Sequence, residues 1–197
     1  MRRRICVVCT VFTVLILFMG SCSTKRVAVK YPKSGPVSIS ERGTTITIEP
    51  LDKSQLEEQF GKRSNPFIPP PRALGFNSMR VFRFSIESMN DVLLVLNSIE
   101  LQFGGKLKSP ENAFHLINYW ELEGEKADSE QYDIARMRPK IKRNLLPNDL
   151  TVEGGSNYSG ILVFQGRLPS HGRGTIVVPV FKAKGELIHD FIFEMDM

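Results

Sequence analysis

The sequence predicts a mainly β protein: an antiparallel β-sandwich, immunoglobulin-like in the broad sense, with two or three short helices. Seven or eight segments alternate apolar and polar residues with the two-residue period of a strand. Strands and helices do not alternate in βαβ order, which argues against a parallel sheet. The 197 residues include 15 Gly and 12 Pro for turns, and 13 Phe for a core. We therefore expect one folded domain that needs no disulfide.

The first 22 residues have the three-part plan of an export signal. Three arginines follow Met1, an apolar run extends from residue 5 to residue 19, and small residues come next. The run is about 15 residues long, and a membrane-spanning helix usually needs about 20. The arginines keep the start of the chain on the cytoplasmic side. This pattern predicts a cleaved export signal; the alternatives are an uncleaved signal anchor and ordinary signal cleavage without attachment of a lipid.

The motif Met19-Gly20-Ser21-Cys22 resembles the lipobox of bacterial lipoproteins, with Met19 where that family usually has Leu. The resemblance covers residues 1–22 only. It implies that a lipid is attached to the thiol of Cys22 and that a peptidase cuts between Ser21 and Cys22. It also implies a membrane-anchored protein at the periplasmic face of an outer membrane, because Ser23 favours that sorting in some bacteria. In a bacterium with a single membrane, the outer face of that membrane is the alternative.

Cysteine usage and charge agree with export. All three cysteines (Cys6, Cys9 and Cys22) lie in the signal segment, so the processed domain has no free thiol. The formal net charge of +5 falls to +2 once the three arginines of residues 1–21 are removed. So small an excess gives no reason to expect a nucleic-acid partner. We expect a signal peptide over 1–21, a lipidated cysteine and tether over 22–43, and a single sandwich domain over 44–197.

The first half of the domain shows strands, one helix and a proline-rich crossing. Alternation predicts strands over 44–51 and 81–87, and a long strand over 92–103 with a bulge near Asn97. Residues 52–60 predict a short helix, because Asp52 and Gln55 have the spacing of a capping box and Gly61 ends it. The prolines of 65–71 predict an extended crossing between the two sheets.

The second half is mostly strands. Residues 110–123 fit either a helix, through Phe114, Ile117 and Trp120, or a turn followed by a strand, which we favour. Residues 128–136 predict a short helix capped by Asp128 or Ser129. Strong β runs occupy 161–165, 175–181 and 187–195, and the last two are joined by a hairpin that contains Gly185.

Residues 136–143 are the most distinctive mature feature, with five basic residues in eight. Pro139 predicts that this stretch is extended rather than helical, with Arg136, Arg138, Lys140 and Lys142 on one side and Met137 and Ile141 on the other. One interpretation is an edge strand protected by charge and proline against aggregation. The other is a strip that binds an anionic surface of lipid or glycan, formed by Arg136, Arg138, Lys140, Lys142 and Arg143.

The titratable residues give no catalytic or metal motif. His115, His171 and His189 form no ligand pair in sequence, and no cysteine remains in the processed domain. We expect His189 to be buried and hydrogen-bonded, and His171 to be solvated. Glu121, Glu123 and Glu125 would share a face if their stretch were a strand, and a solvated face explains them well. No G-x-S-x-G, P-loop or dinucleotide fingerprint occurs, and residues 155–160 are expected to be a polar turn.

The sequence therefore predicts a membrane-anchored bacterial lipoprotein that acts as a non-enzymatic binding or envelope-assembly module, with no cofactor and no metal. The expected partners are the membrane, through Cys22, and an anionic lipid, a glycan or an envelope protein. Two alternatives stay open at this stage. One is a cell-envelope hydrolase whose site forms only in the fold, and the other is a lipid carrier with a pocket between the sheets.

Overall fold

The structure, a computed structural model, is a β-sandwich with a helical layer on one side; it describes residues 35–69, 78–126, 133–169 and 171–196. The four-stranded sheet has the order β1-β2-β3-β8, and the second sheet has the order β6-β5-β9-β4-β7 with β10 on the other edge of β9. All the strand pairs in both sheets are antiparallel. The predicted fold class is confirmed.

The elements follow one another in chain order. The strands are β1 (Val37–Glu41), β2 (Thr44–Pro50), β3 (Ser78–Ser88), β4 (Val92–Val95), β5 (Glu100–Phe103), β6 (Lys106–Lys108), β7 (Asp149–Val152), β8 (Ser156–Gly166), β9 (Arg173–Lys182) and β10 (Leu187–Asp196). The helices in the described ranges are α1 (Lys53–Phe60), α2 (Ala113–Lys126) and α3 (Ile134–Asn144), and a 3₁₀ turn spans Leu96–Ser98. None of these helices has the length and apolar character needed to cross a membrane.

The main core lies between the two sheets. Strand β3 turns Phe82, Phe84 and Ile86 inward, as the alternation predicts, and all three are buried. Phe191 and Phe193 of β10 fill the facing side. Because residues of both sheets form one continuous buried cluster, side chains occupy the space between the sheets.

A second core joins the helices to the outer face of the four-stranded sheet. Val81 and Val163 alternate with the inward residues of their strands, so they face the helices instead. Trp120 of α2 is the largest side chain in this cluster, and its indole N–H donates to the carbonyl of Pro66 at 2.8 Å. The molecule therefore has three layers: sheet, sheet and helices.

Several local predictions are confirmed. Asp52 caps α1, and the capping box is complete. The Asp52 carboxylate accepts from the backbone N–H of Gln55 at 2.8 Å, and the side-chain amide oxygen of Gln55 accepts from the backbone N–H of Asp52 at 2.9 Å. The irregularity expected near Asn97 is present, but it is a 3₁₀ turn rather than a bulge, and it divides the predicted long strand into β4 and β5. Gly185 closes the last hairpin with φ of 86°.

The prediction of a strand over 110–123 is wrong, because this stretch forms α2. Leu116 and Trp120 lie four residues apart and are both buried, which is the helical period. The short alternation at 120–123 fits either the period of a strand or the period of a helix. Burial against the outer face of the four-stranded sheet decides for the helix. The expected helix over 128–136 falls partly on 127–132, which lie outside the described residues; the helix that is described begins at Ile134.

Three boundaries also differ from the expectation. The domain begins before residue 44, because β1 pairs with β2 through a register that includes Val37 and Ile48. Residues 65–69 do not cross between sheets: β2 and β3 are neighbours in one sheet, and Phe67 turns into the helical core. The stretch 156–160, expected to be a polar turn, is the start of β8.

Candidate functional site

The basic segment 136–143 lies on α3, so the prediction of an extended conformation is wrong. Asp133 caps the helix by accepting from the Arg136 N–H at 3.1 Å. Met137 and Ile141 are buried four residues apart, and their burial favours a helix over an edge strand. Pro139 leaves the carbonyl of Ala135 without its helical donor, but Ala135 is exposed and water can replace that donor.

Three of the five basic side chains have local partners. Arg136 lies 2.9 Å from the carboxylate of Asp133, and Arg138 pairs with Glu121 of α2. Lys140 is partly buried and donates to the carbonyl of Phe60 and the hydroxyl of Ser64. The contacts of Arg138 and Lys140 tie α3 to α2 and to the end of α1. The Arg136 pair stays within the first turn of α3.

Lys142 and Arg143 differ from the other three. Both are exposed in the last turn of α3, where a positive charge interacts favourably with the helix dipole. Within the part of the chain that the structure describes, neither forms an ion pair with a carboxylate. The predicted strip of five cations is therefore reduced to a pair at one end of the helix.

Lys142 lines a surface groove of about 400 Å³ between α2, α3 and β8. We call this the α2–α3 groove. Its walls are mostly apolar, and Phe114 on its rim is 68% exposed, which is unusual for so large an apolar side chain. The remaining lining residues are Asn112, Ala113, Leu145, Leu146, Pro147, Asn148 and Tyr158.

Tyr158 gives the groove a polar group at its sheet side. The ring packs against the sandwich core, and burial raises the pKa of its hydroxyl above the ordinary value. The hydroxyl therefore stays protonated and able to donate a hydrogen bond at neutral pH. A groove with apolar walls, one exposed cation and one phenol can bind an apolar side chain flanked by a carboxylate or phosphate.

No pattern in the sequence marked Phe114 or Tyr158 as site residues. One signal was available: once Leu116 and Trp120 are placed on the buried face of a helix, Phe114 falls on another face and must be exposed. Tyr158 carried no such signal, because it lies in a stretch expected to be a turn.

The histidines do not form a nucleophile–base arrangement among the described residues. His115 is exposed and lies 3.5 Å from the carboxylate of Glu111, one turn earlier. His189 is partly buried and contacts the carboxylate of Glu41 at 2.6 Å, which links β10 to the β1–β2 hairpin. His171 is exposed, as expected. Glu121 belongs to α2, so the acidic run does not share a strand face. In the described ranges, no three His, Cys, Asp or Glu side chains converge as metal ligands do.

Glu111 is the clearest perturbed acid. Burial raises the pKa of its carboxyl, and the nearby charges of His115 and Lys108 offset part of that rise. A raised folded-state pKa means that ionisation costs stability. The cost is complete above the folded-state pKa and disappears below the unfolded value of about 4.3.

We expect Glu111→Gln to raise the free energy of unfolding at pH 7 and to have little effect near pH 3.5. The amide removes the buried charge while keeping the size of the side chain. Urea unfolding at the two pH values measures the difference. Glu58→Gln, on the exposed face of α1, is the control and should change stability little at either pH. A loss of stability in Glu111→Gln at pH 7 would show that its pairing with His115 outweighs its desolvation.

Ser21 and Cys22 lie outside the described residues, so the signal and the lipid site stay predictions. No described protein family matches this chain, and no curated protein matches it. Among solved structures it is similar to the crystal structure of the yjhA protein from Bacillus subtilis, at 11% sequence identity. The alignment covers 81% of this chain and 96% of that chain, with a TM-score of 0.44. A similarity of this degree says nothing about activity or partners.

Proposed function

We propose that this protein is a membrane-anchored bacterial lipoprotein whose sandwich domain is a non-enzymatic binding or envelope-assembly module. The anchor is lipid on Cys22, and the α2–α3 groove is the surface that contacts a partner protein of the envelope. The periplasmic face of an outer membrane is the location that Ser23 favours, with the outer face of a single membrane as the alternative.

The anchor is supported by the signal segment and by the energetics of acyl chains. Each buried methylene contributes about 0.8 kcal/mol, so one chain holds a protein only marginally. Lipoproteins of the type that residues 1–22 resemble carry two or three chains. A domain with such an anchor stays at the membrane, and it needs only a contact surface to act as a scaffold or adaptor.

The observation that carries the binding role is the exposed Phe114 beside the cation Lys142. Contiguous apolar surface with polar groups around it marks contact sites, and the groove joins Phe114 to Leu145, Leu146 and Pro147. Aromatic residues are also enriched where proteins meet, and a lysine on the rim adds charge complementarity to an acidic partner. The groove therefore fits an acidic segment that carries one apolar anchor.

The two alternatives have less support from the described residues. A lipid carrier needs an open apolar space, and side chains of both sheets fill the region between them. A hydrolase needs a base beside a nucleophile or paired acids in a cleft. His115 instead pairs with Glu111 in an exposed helical turn.

Site-specific photo-cross-linking tests the binding role. A photoreactive phenylalanine analogue at position 114, in the full chain and in its own membranes, should give a discrete adduct. The same analogue at position 187 is the control, because Leu187 is also exposed but lies at the β9–β10 hairpin. Lys142→Glu should abolish the adduct from position 114. Equal labelling from both positions, or no effect of Lys142→Glu, would contradict a partner site in this groove.

A further inference from the structure

The described chain enters the sandwich at one end of its strands, and this distinguishes the two ends of the domain. Strands β1 and β3 begin, and β2 and β8 end, at one end of the four-stranded sheet. The packing of the sheets places the start of β9 and the ends of β5 and β10 at the same end. The described chain enters β1 from this direction, so we call it the proximal end. The opposite, distal end carries the turns that lead into β2, β4, β8 and β10.

A cluster of cations surrounds the link between β8 and β9 at the proximal end. The guanidinium of Arg80 donates to the carbonyl of Pro169 at 2.6 Å, and the ammonium of Lys106 donates to the carbonyl of Arg167. Arg173 begins β9, and its side chain is 83% exposed. We call this cluster the proximal patch, formed by Arg80, Lys106, Lys108, Arg167 and Arg173.

Few carboxylates oppose this patch. Asp196 lies 3.7 Å from Arg173, Glu111 interacts with Lys108, and Glu194 lies two residues before Asp196 on β10. The ammonium of Lys106 donates to a backbone carbonyl rather than to a carboxylate. The patch therefore keeps a net positive charge exposed to solvent.

The patch is also held in a fixed shape. Gly104, at the β5–β6 turn, has φ of 58°, and a Cβ there would lie only 2.3 Å from the ring of Pro169. The turn and the β8–β9 link are thus in close contact. The backbone that carries Lys106 and Arg167 is therefore closely packed, and both side chains are exposed and can reach an anionic surface.

The distal end has the opposite sign. Its hairpins carry three cations (Arg42, Lys182 and Lys184), whereas the carboxylates there number six among the described residues: Glu41, Glu87, Asp91, Glu153, Glu186 and Asp190. The distal hairpins therefore carry a net negative charge, whereas the proximal patch has five cations against the three carboxylates named above.

We propose that the proximal patch contacts the phosphates of anionic phospholipid headgroups and orients the domain with its distal end away from the membrane. Membrane-surface charge attracts nearby Lys and Arg and acts within about one Debye length. The chain between Cys22 and Gly35 spans at most about 45 Å when fully extended, so the proximal patch can reach the headgroups while Cys22 is anchored in the bilayer. The inference rests on the proposed membrane anchor and adds a partner to it.

Lysine labelling of the full-length protein in vesicles tests the orientation. The protein from membranes is reconstituted into phosphatidylcholine vesicles with and without phosphatidylglycerol, and amine acylation is read at each lysine by mass spectrometry. We expect the anionic lipid to slow labelling of Lys106 and Lys108 about tenfold at low salt. Lys182 and Lys184 at the distal end should label equally in both vesicles. High salt should remove the difference, because the contact is electrostatic.

Two double variants with the same charge change locate the contact. Arg167→Glu with Arg173→Glu should abolish the protection by anionic lipid. Lys142→Glu with Arg143→Glu should leave it intact, because these residues lie at the end of α3. The two pairs of residues are far apart. Tyr158 lines the α2–α3 groove with Lys142 and pairs with Ile86, which lies about 20 Å along β3 from Arg80 of the proximal patch.

Each outcome separates the two proposals. Protection lost only in the α3 variant would overturn the proximal patch and assign the contact to α3. Equal labelling in both vesicles, with the protein still floating with them, would overturn the headgroup contact alone. A wild-type protein that does not float with vesicles would contradict the anchor, and the headgroup contact would fall with it.

Discussion

Replacing Trp120 with Ala is expected to lower the free energy of unfolding by about 3–5 kcal/mol. The indole is 1% exposed, packs edge-on against Tyr119, and donates a hydrogen bond to the carbonyl of Pro66. Its removal leaves a cavity in the helical core and takes the donor from a buried carbonyl. Urea unfolding measures the loss, and hydrogen exchange should place it first in α1, α2 and α3.

Trp120→Phe is the matched control for this effect. It keeps most of the packing but removes the N–H donor, so its loss should be clearly smaller than that of the alanine variant. A loss below about 1 kcal/mol in Trp120→Ala would contradict the account of the helices as a packed third layer.

Replacing Phe84 with Ala is expected to cost a similar amount, about 3–5 kcal/mol, but to act on the sandwich itself. Phe84 is fully buried between the sheets, on a strand that pairs with β2 through Ile48 and with β8 through Gly160. Because β3 has a neighbour on both sides, the cavity weakens the centre of its sheet. Hydrogen exchange should therefore accelerate in the strands as well as in the helices.

Ser85→Ala is the control on the same strand. Ser85 points to the opposite face and is only partly buried, so its replacement should change stability by less than about 0.5 kcal/mol. If Phe84→Ala accelerated exchange only in the helices, the division into a sandwich core and a helical core would be contradicted.

The sandwich could be predicted from the sequence because its signals are local. Residues 81–87 alternate between large apolar and mostly polar side chains, because one face of β3 packs against the second sheet and the other face is only partly buried. The capping box of α1 needs only Asp52 and Gln55, three residues apart. Such patterns need no knowledge of distant contacts.

The helical layer could not be predicted in the same way, because tertiary burial decides it. Pro139 argues against a helix interior by local rules, and the burial of Met137 and Ile141 against the sheet outweighs that rule. The wrong prediction of an extended chain over 136–143 also changed the predicted binding strip. Basic residues that a strand would align on one side are distributed around a helix. Three of them consequently pair within the layer, and the groove at Phe114 and Lys142 becomes visible only in the fold.

The proximal patch had no sequence signal for the same reason. Arg80, Lys106 and Arg167 are far apart in the chain, and no run of basic residues includes them. The β-sandwich topology brings them to one end. The charge at each end of the sandwich depends on which strands begin or end there.

The intact mass of the protein extracted from membranes tests the central claim most directly, with Cys22→Ala beside it. The account predicts a native chain that begins at Cys22 with added acyl mass, and a variant that carries no acyl mass. A native chain that retains residues 1–21, or that begins after them with no lipid, would contradict the lipid anchor. The proposed role at the membrane surface would then fall with it.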